Sequence, residues 1–596
     1  MKILPSISRS ALLTCTLILS GVLGHTRAAA PAIPAPASVP LRTGPAKPGE
    51  PDFGPNVLIV DPSMDVQALI DKIGDQQKSN ESAQFNNNRY AFLFKPGTYN
   101  LDVKVGFYTQ VMGLGLKPDD TSFPAVHCNF YGNVTQTFWR AMENLMTTGK
   151  ECYWGVSQGT SFRRIHTKSG VKLHSEGWAS GGFLADCKIE GGVNSGPQQQ
   201  WISRNAEMAK WSNAVWNMVF VGVPGAPTQW PSYTAVEKTP LIAEKPFLYV
   251  DGAGHFAVMV PALAKDSAGV SWNGPKPAPG TSIPIEKFYL AHAGKDSAAT
   301  INAALTAGKN LILTPGIYHL EDSIKVTRPG TVVMGMGYAT LKPVKGTPAM
   351  QIADVDGVRV SSILFEAAPG TTPTLLEVGP AGSKASHAAN PTIIYDIFCR
   401  VGGAGPGSAD AMTTINSNDV IGDNTWLWRA DHGAGATWKD ARNKNGLVVN
   451  GNNVIYYGLA VEHTQEYQTL WKGNGGRVYF YQSEIPYDVP DQKTWGNNGK
   501  GWSSYKVADN VASHEAWGLG IYSLFNAGQC ILENAYEVPK SAPGVKLHHM
   551  NAINLGGKAG GQSGIAHVID GVGDSAVSGN GFRRVTLAEW PVAPGK

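Results

Sequence analysis

The chain has 596 residues, a formal net charge of +3, 69 glycines and 16 tryptophans. So even a charge balance argues against nucleic acid, whose phosphates call for a concentrated basic surface, and suits an uncharged partner such as a neutral glycan. Glycine above its usual ~7 per cent, together with many aromatics, suits a turn-dense β protein, although any single tryptophan more often serves packing.

In chain order, Lys2 and Arg9 precede an apolar run from Ala11 to Gly24 and the small residues Ala28 to Ala30. This pattern predicts a secretory signal peptide over 1–30 and a secreted protein, extracellular or periplasmic. The run is too short to span a bilayer, and no later segment approaches the roughly 20 apolar residues of a membrane helix, so no membrane partner is expected. Residues 31–51 are rich in proline and alanine and read as a flexible lead-in.

Two distant stretches then resemble each other: FKPGTYNLDVKVGFYTQVMGLG from Phe94 and LTPGIYHLEDSIKVTRPGTVVMGMG from Leu313. Their Pro-Gly pairs begin at Pro96 and Pro315 and their Gly-x-Gly at Gly113 and Gly335, a nearly constant offset that predicts a duplicated domain start. A helix is predicted before each, over 66–78 and 298–307. Short strand-like runs such as VRVSSILFEA, TIIYDIFCRV and GRVYFYQSEI follow, broken by Gly, Asn and Asp at about 20 to 25 residues, the spacing of solenoid coils. The predicted fold is all-β: two tandem right-handed parallel β-helices (β-solenoids) packed side by side. Domains are placed at 52–261 and 286–585, with a linker at 262–285 that contains GPKPAPGTSIP. A β-sandwich or propeller is the alternative, but neither accounts as simply for the Pro-Gly-x-Tyr starts. The protein is expected to act as a monomer.

Cys15 leaves with the signal, and Cys128, Cys152, Cys187, Cys399 and Cys530 remain. An odd number leaves at least one free thiol, and a disulfide among Cys128, Cys152 and Cys187 is permitted. There is no CxxC pair, clustered calcium-loop Asp set, P-loop or dinucleotide fingerprint, so no metal and no cofactor are expected.

Two carboxylates stand out in GLAVEHTQEYQTLWKGNGGRVYFYQSEIPYDVP. Glu462 ends one strand-like run and Glu484 the next, one coil later. Equivalent positions on adjacent coils lie ~4.8 Å apart. Two carboxylates that close do not ionise together easily, so one keeps its proton to higher pH, as a general acid needs. Taken alone, the pair reads more readily as exposed coil-edge charges or as partners of Lys472 and Arg477.

The wider motif decides between these readings. EHTQEYQ followed by QSEIPYDVP, NTWLWRADH before it and HEAWGLGIYS after it resemble segments of glycoside hydrolase family 55, the β-1,3-glucanases. So do SQGTSF (157–162), SGGFLAD (180–186) and QQQWISRN (198–205) in the first half. The resemblance implies a cleft between two β-helices and inverting, usually exo-acting, hydrolysis of β-1,3-glucan. It implies Glu484 as general acid, Glu462 as its assisting neighbour, and Gln158 and Ser180 as holders of the attacking water. Gln199, Asp431, His432, His463 and Tyr487 would line the substrate site. A structural glutamine ladder over 198–200, and a corner in which Asp431 and His432 bond only within the coil, remain alternatives. PSMDVQALIDKI stands where such β-helices often open with a GDGxxDDT-like segment, and GVKLHSEGWA and Ser483 also depart from the family pattern. A hydrolase of another glucan linkage, a β-helix polysaccharide lyase and a non-catalytic glycan-binding β-helix are the competing functions.

Overall fold

The computed structural model describes residues 40–78, 81–274, 279–578 and 581–592; the signal-peptide reading and the first part of the lead-in lie outside them. Nearly every regular element is a strand, and nearly every pairing is parallel. A 15-stranded sheet winds through the first half, and sheets of 13 and 10 strands wind through the second. The protein is therefore two parallel β-helices side by side. Each coil buries apolar side chains that it could not bury alone. The first solenoid closes around Phe92, Val111, Leu145, Ile165, Leu184 and Phe220, the second around Val333, Ile363, Ile397, Leu427, Leu459 and Leu519.

The duplicated starts do the same work twice. Tyr99 donates its hydroxyl to Val60 O (2.9 Å) and Lys95 O (2.7 Å), and Tyr318 donates to Ala291 O (2.7 Å) and Thr314 O (2.9 Å). Each pins the strand before its Pro-Gly to the strand after. The glycines are sterically required: a Cβ on Gly97 would lie 2.4 Å from Pro62 Cγ, and one on Gly316 2.4 Å from Ala293 Cβ. The helices before them, Gln67–Gln76 and Ala298–Thr306, lay Ile70 and Ile73, and Ile301 and Leu305, over the open end of each solenoid.

Coil length varies more than the 20 to 25 residues the sequence suggested. Asparagines at one corner show this. Asn418 Oδ1 accepts from Asn452 N, Asn452 Oδ1 from Asn474 N, and Asn474 Oδ1 from Ala512 N, at 2.7–2.8 Å and sequence separations of 34, 22 and 38. The ladder keeps register while loops of different length leave it. Inside the strands, Ser362, Asp396, Asn424, Gly458, Phe480, Gly518 and His549 stack as a column with φ between +48° and +73°. Each is skipped in the pairing, so every strand bends at the same height.

Two expectations differ from the structure. From residue 40 the lead-in lies against the body, with Leu41 and Arg42 N–H groups both donating to Pro55 O and Glu50 paired to Lys95 at 2.7 Å. The linker is also β-structured: Ala264–Ser267 pairs antiparallel with Thr239–Ile242, and Gly280–Pro284 with Phe256–Pro261. Strands elsewhere in the chain supply the pairing that the proline-rich composition concealed. The five cysteines among the described residues are all free and buried, so the permitted disulfide among Cys128, Cys152 and Cys187 is not formed. Burial pushes the Cys152 and Cys399 thiols up to about 12 and Cys530 to about 11.

The solenoids meet along the outer faces of their long sheets. Phe183, Ile202 and Val219 pack on Tyr395, Tyr457 and Tyr479, and Tyr108 and Trp139 on Tyr338, Phe398 and Trp426. Buried ions lie among them. Arg163 reaches Asp396 (2.9 Å) and Asp423 (2.7 Å), Arg204 joins Asp423 (2.9 Å) to Glu244 (2.7 Å), and Lys245 bridges Glu143 and Asp396 at 2.8 Å. Both aspartates come from the second solenoid and the remaining members from the first.

Candidate active site

In the second solenoid, strands Ile421–Arg429, Ile455–Glu462 and Gly476–Glu484 pair so that Trp428 lies beside Glu462 and Glu462 beside Glu484. The two carboxylates thus occupy equal positions on adjacent coils. The facing wall comes from the first solenoid. A cavity of about 230 Å³ between the two walls is lined by Gln158, Ser180, Gln199, Asp431, His432, Glu462, His463, Glu484 and Tyr487. The structure thus brings together all nine residues singled out from the sequence. It does not use Gln198 and Gln200 in the same way. Gln198 Nε2 is taken by Val156 O and Leu173 O, and Gln200 is held between Ser180 O and the Tyr522 hydroxyl, so these two are structural.

Glu462 is buried, and both its oxygens are engaged. Oε1 accepts from Gln158 Nε2 across the cleft (2.8 Å) and Oε2 from Trp426 Nε1 (2.8 Å). The Glu484 side chain keeps 13% exposure toward the cavity; the Tyr487 hydroxyl donates to its Oε2, and His463 Nε2 lies 3.8 Å from that oxygen. His463 is steadied by Ile485 O (3.1 Å) and by the edge of Tyr487. Burial raises both carboxyls above the ordinary range, and the charge of Glu484 raises Glu462 further. Burial and Asp431 push Glu484 up against the opposing pull of His463 and Tyr487. The pair therefore retains a proton where isolated glutamates would have lost both, and it titrates as a unit.

Asp431 pairs with His432 at 2.8 Å, and His432 meets Gln84 of the first solenoid at 2.8 Å, so this corner bonds across the cleft as well as within its coil. Burial pushes the Asp431 carboxyl up, but pairing with His432 outweighs it and holds the group below its usual range. Sequence reading missed Trp426, Trp428, Thr135, Gln136, Phe138 and Leu555. The first two stand in NTWLWRADH at alternate positions of one strand, which points both toward the cleft; that periodicity was the available signal. The others sit on loops or at a distant coil, with no local pattern to mark them.

These features define a two-solenoid parallel β-helix with a carboxylate pair facing an amide and hydroxyl wall. The LAM55 pectate lyase-like domain family matches residues 288–484. An exo-beta-1,3-glucanase of Streptomyces sp. (strain SirexAA-E / ActE) is 46% identical over 538 residues, 88% of this chain and 87% of that protein. The structure of sacteLam55A from Streptomyces sp. SirexAA-E superposes with a TM-score of 0.87 at 44% identity, covering 91% of this chain and 100% of that one. A glutamate-to-alanine variant of sacteLam55A in complex with glucose superposes with a TM-score of 0.86 at 44% identity, covering 91% and 99%. The chain belongs to glycoside hydrolase family 55, and it is a glycoside hydrolase.

Proposed function

We propose that the protein is an exported exo-acting β-1,3-glucanase that inverts the anomeric centre, with Glu484 as general acid. The observation that carries this reading is the asymmetry of the cleft. Both glutamates stand on the second-solenoid wall, and the facing wall offers the neutral Gln158, Ser180 and Gln199. Retaining hydrolysis needs an acid on one face of the sugar and a carboxylate nucleophile on the other. Adjacent carboxylates on one wall do not flank a ring, whereas an amide and a hydroxyl opposite the acid suit a held water. Of the two glutamates Glu484 is the more exposed to the cavity, and a sugar filling that space would strip its remaining water and favour its protonated form. Glu462, held by Gln158 and Trp426, would orient Gln158 toward the water and tune the acid beside it.

The named activity of the Streptomyces relative supports the substrate, and the glucose complex of its structural counterpart supports a site of sugar size. Export rests on the pattern of residues 1–30. Proton NMR of the first product formed from a β-1,3-linked oligosaccharide tests the mechanism: α-glucose appearing first is expected, and β-glucose appearing first would overturn inversion. The amino terminus of protein collected from culture medium tests export, with a start after Ala30 expected.

A further inference from the structure

Outside the cleft, the second solenoid carries a roomier open cavity of about 500 Å³, walled by Trp438 and Trp502 and floored by Asp410, Arg442, Lys444 and Glu466. It lies on the 10-stranded sheet, not the 13-stranded sheet that ends in Glu462 and Glu484. We propose that it is a second carbohydrate site, which holds a stretch of neutral glucan on the outer face of the enzyme. The polymer identity rests on the substrate reading above; the presence of a sugar site does not.

The argument is chemical. Neutral sugars present hydroxyl edges, which need donors and acceptors, and apolar faces, which pack on aromatic rings. Both indoles are partly exposed and held in place. Trp502 donates Nε1 to Trp495 O (2.8 Å) and packs edge-to-face with Tyr467 at 4.8 Å. Trp438 has its carbonyl capped by Gln465 Nε2 (2.8 Å) and the Arg429 guanidinium 5.4 Å over its ring. The floor's two acids and two bases cancel, and Asp410 and Lys444 pair with each other at 2.9 Å. An ionic ligand would therefore find no net charge to attract it, whereas a polyol would find both donors and acceptors.

The site is also built by the loops that build the cleft. Residues 430–440 carry Asp431 and His432 at one end and Trp438 at the other, 463–468 carry His463 and Glu466, and 485–504 carry Tyr487 and Trp502. The fully buried Arg429 ties all three, donating to Thr437 O (3.0 Å), His463 O (3.2 Å) and the Asp488 carboxylate (2.7 Å). A chain held at the outer cavity is thus fastened to the framework that carries the cleft, which would keep the enzyme on an insoluble polymer between cuts.

The test uses the full chain with Glu484→Gln to stop turnover, titrated calorimetrically with a β-1,3-linked glucose hexasaccharide. Two binding events are expected. Trp502→Ala should weaken one of them about tenfold or more, the scale of losing one aromatic contact, and Arg442→Ala, an exposed change that spares the core, should weaken the same one. With Glu484 restored, Trp502→Ala should lower turnover on insoluble glucan several-fold more than turnover on a soluble disaccharide. A single event untouched by either substitution overturns the proposal, as does an equal loss on both substrates. If the wild type does not cut β-1,3-glucan, yet another neutral glycan binds in a Trp502-dependent way, the substrate reading fails and the second site stands. Binding of a polyuronate at that site in place of neutral sugars overturns it.

Discussion

At Glu484, exchange for glutamine keeps the side chain's shape but removes the proton it can give. Turnover should drop by about 10²–10⁴-fold or more on substrates with poor leaving groups, with binding largely kept; steady-state kinetics beside calorimetry will show whether the two separate. Tyr487→Phe is more selective. The Tyr487 hydroxyl favours the ionised form of Glu484, so its loss should raise the carboxyl further and move the alkaline limb of the pH–rate profile to higher pH. An unmoved limb would place the titrating group elsewhere. Stability follows the opposite sense to activity. A carboxyl whose folded pKa is raised contributes stability only below its unfolded value and loses it as pH rises through the folded one. Glu462→Gln should therefore melt at a higher temperature than the wild type above neutral pH, while losing activity. Like charges brought together in a buried place weaken the fold that holds them.

At the level of the strand and its corner, the asparagine ladder at Asn418, Asn452 and Asn474 determines how coils stack. Asn452→Ala removes the acceptor of Asn474 N and should cost about 0.5–1.5 kcal/mol, read from the denaturant midpoint. Much of this scale could be read from the sequence. Pro-Gly-x-Tyr at 96–99 and 315–318 recurs because Gly97 and Gly316 have no room for a side chain and each tyrosine closes the same two carbonyls, so the constraint is local. Glu462 and Glu484 are one short coil apart, which made their pairing visible. Trp428 pairs with Glu462 across a longer coil, and that register depends on loop lengths no local pattern reveals. The strand at Gly280–Pro284 was hidden for a related reason: it pairs on an edge, where proline is tolerated, with a partner that its own composition does not announce.

For the molecule as a whole, the buried ions between the solenoids act as a lock. Asp423 accepts from both Arg163 and Arg204, and Asp423→Ala would take one buried anionic acceptor from each guanidinium, leaving Arg163 to Asp396 and Arg204 to Glu244. A loss of about 3–5 kcal/mol is expected, measurable by chemical unfolding. Acid reaches a related ion pair in the second solenoid at low pH only. Burial pushes Glu366 up, but Arg400 and Lys342 bring it down to about 2. A carboxyl with a depressed folded pKa contributes stability that is present above its unfolded value near ~4.3 and lost as pH falls through the folded one. The melting temperature should fall as pH is lowered from about 4 toward 2, and Glu366→Gln should flatten that slope. A slope of equal steepness in the variant would assign acid sensitivity to other groups.

The lock also bears on how the chain reaches its final state. During synthesis the first solenoid emerges first, with Phe183, Ile202 and Val219 bare on one face and Arg163, Arg204, Glu143, Glu244 and Lys245 among them without Asp396 or Asp423. Until the second half is made, that face is both greasy and mismatched in charge, the kind of surface on which nascent chains stick to one another. Contacts such as Arg163 with Asp423 join residues 260 apart, so closing the interface is slow as well as late. The sheet face that later packs against the second solenoid is, for that interval, the part of the molecule most in need of shielding.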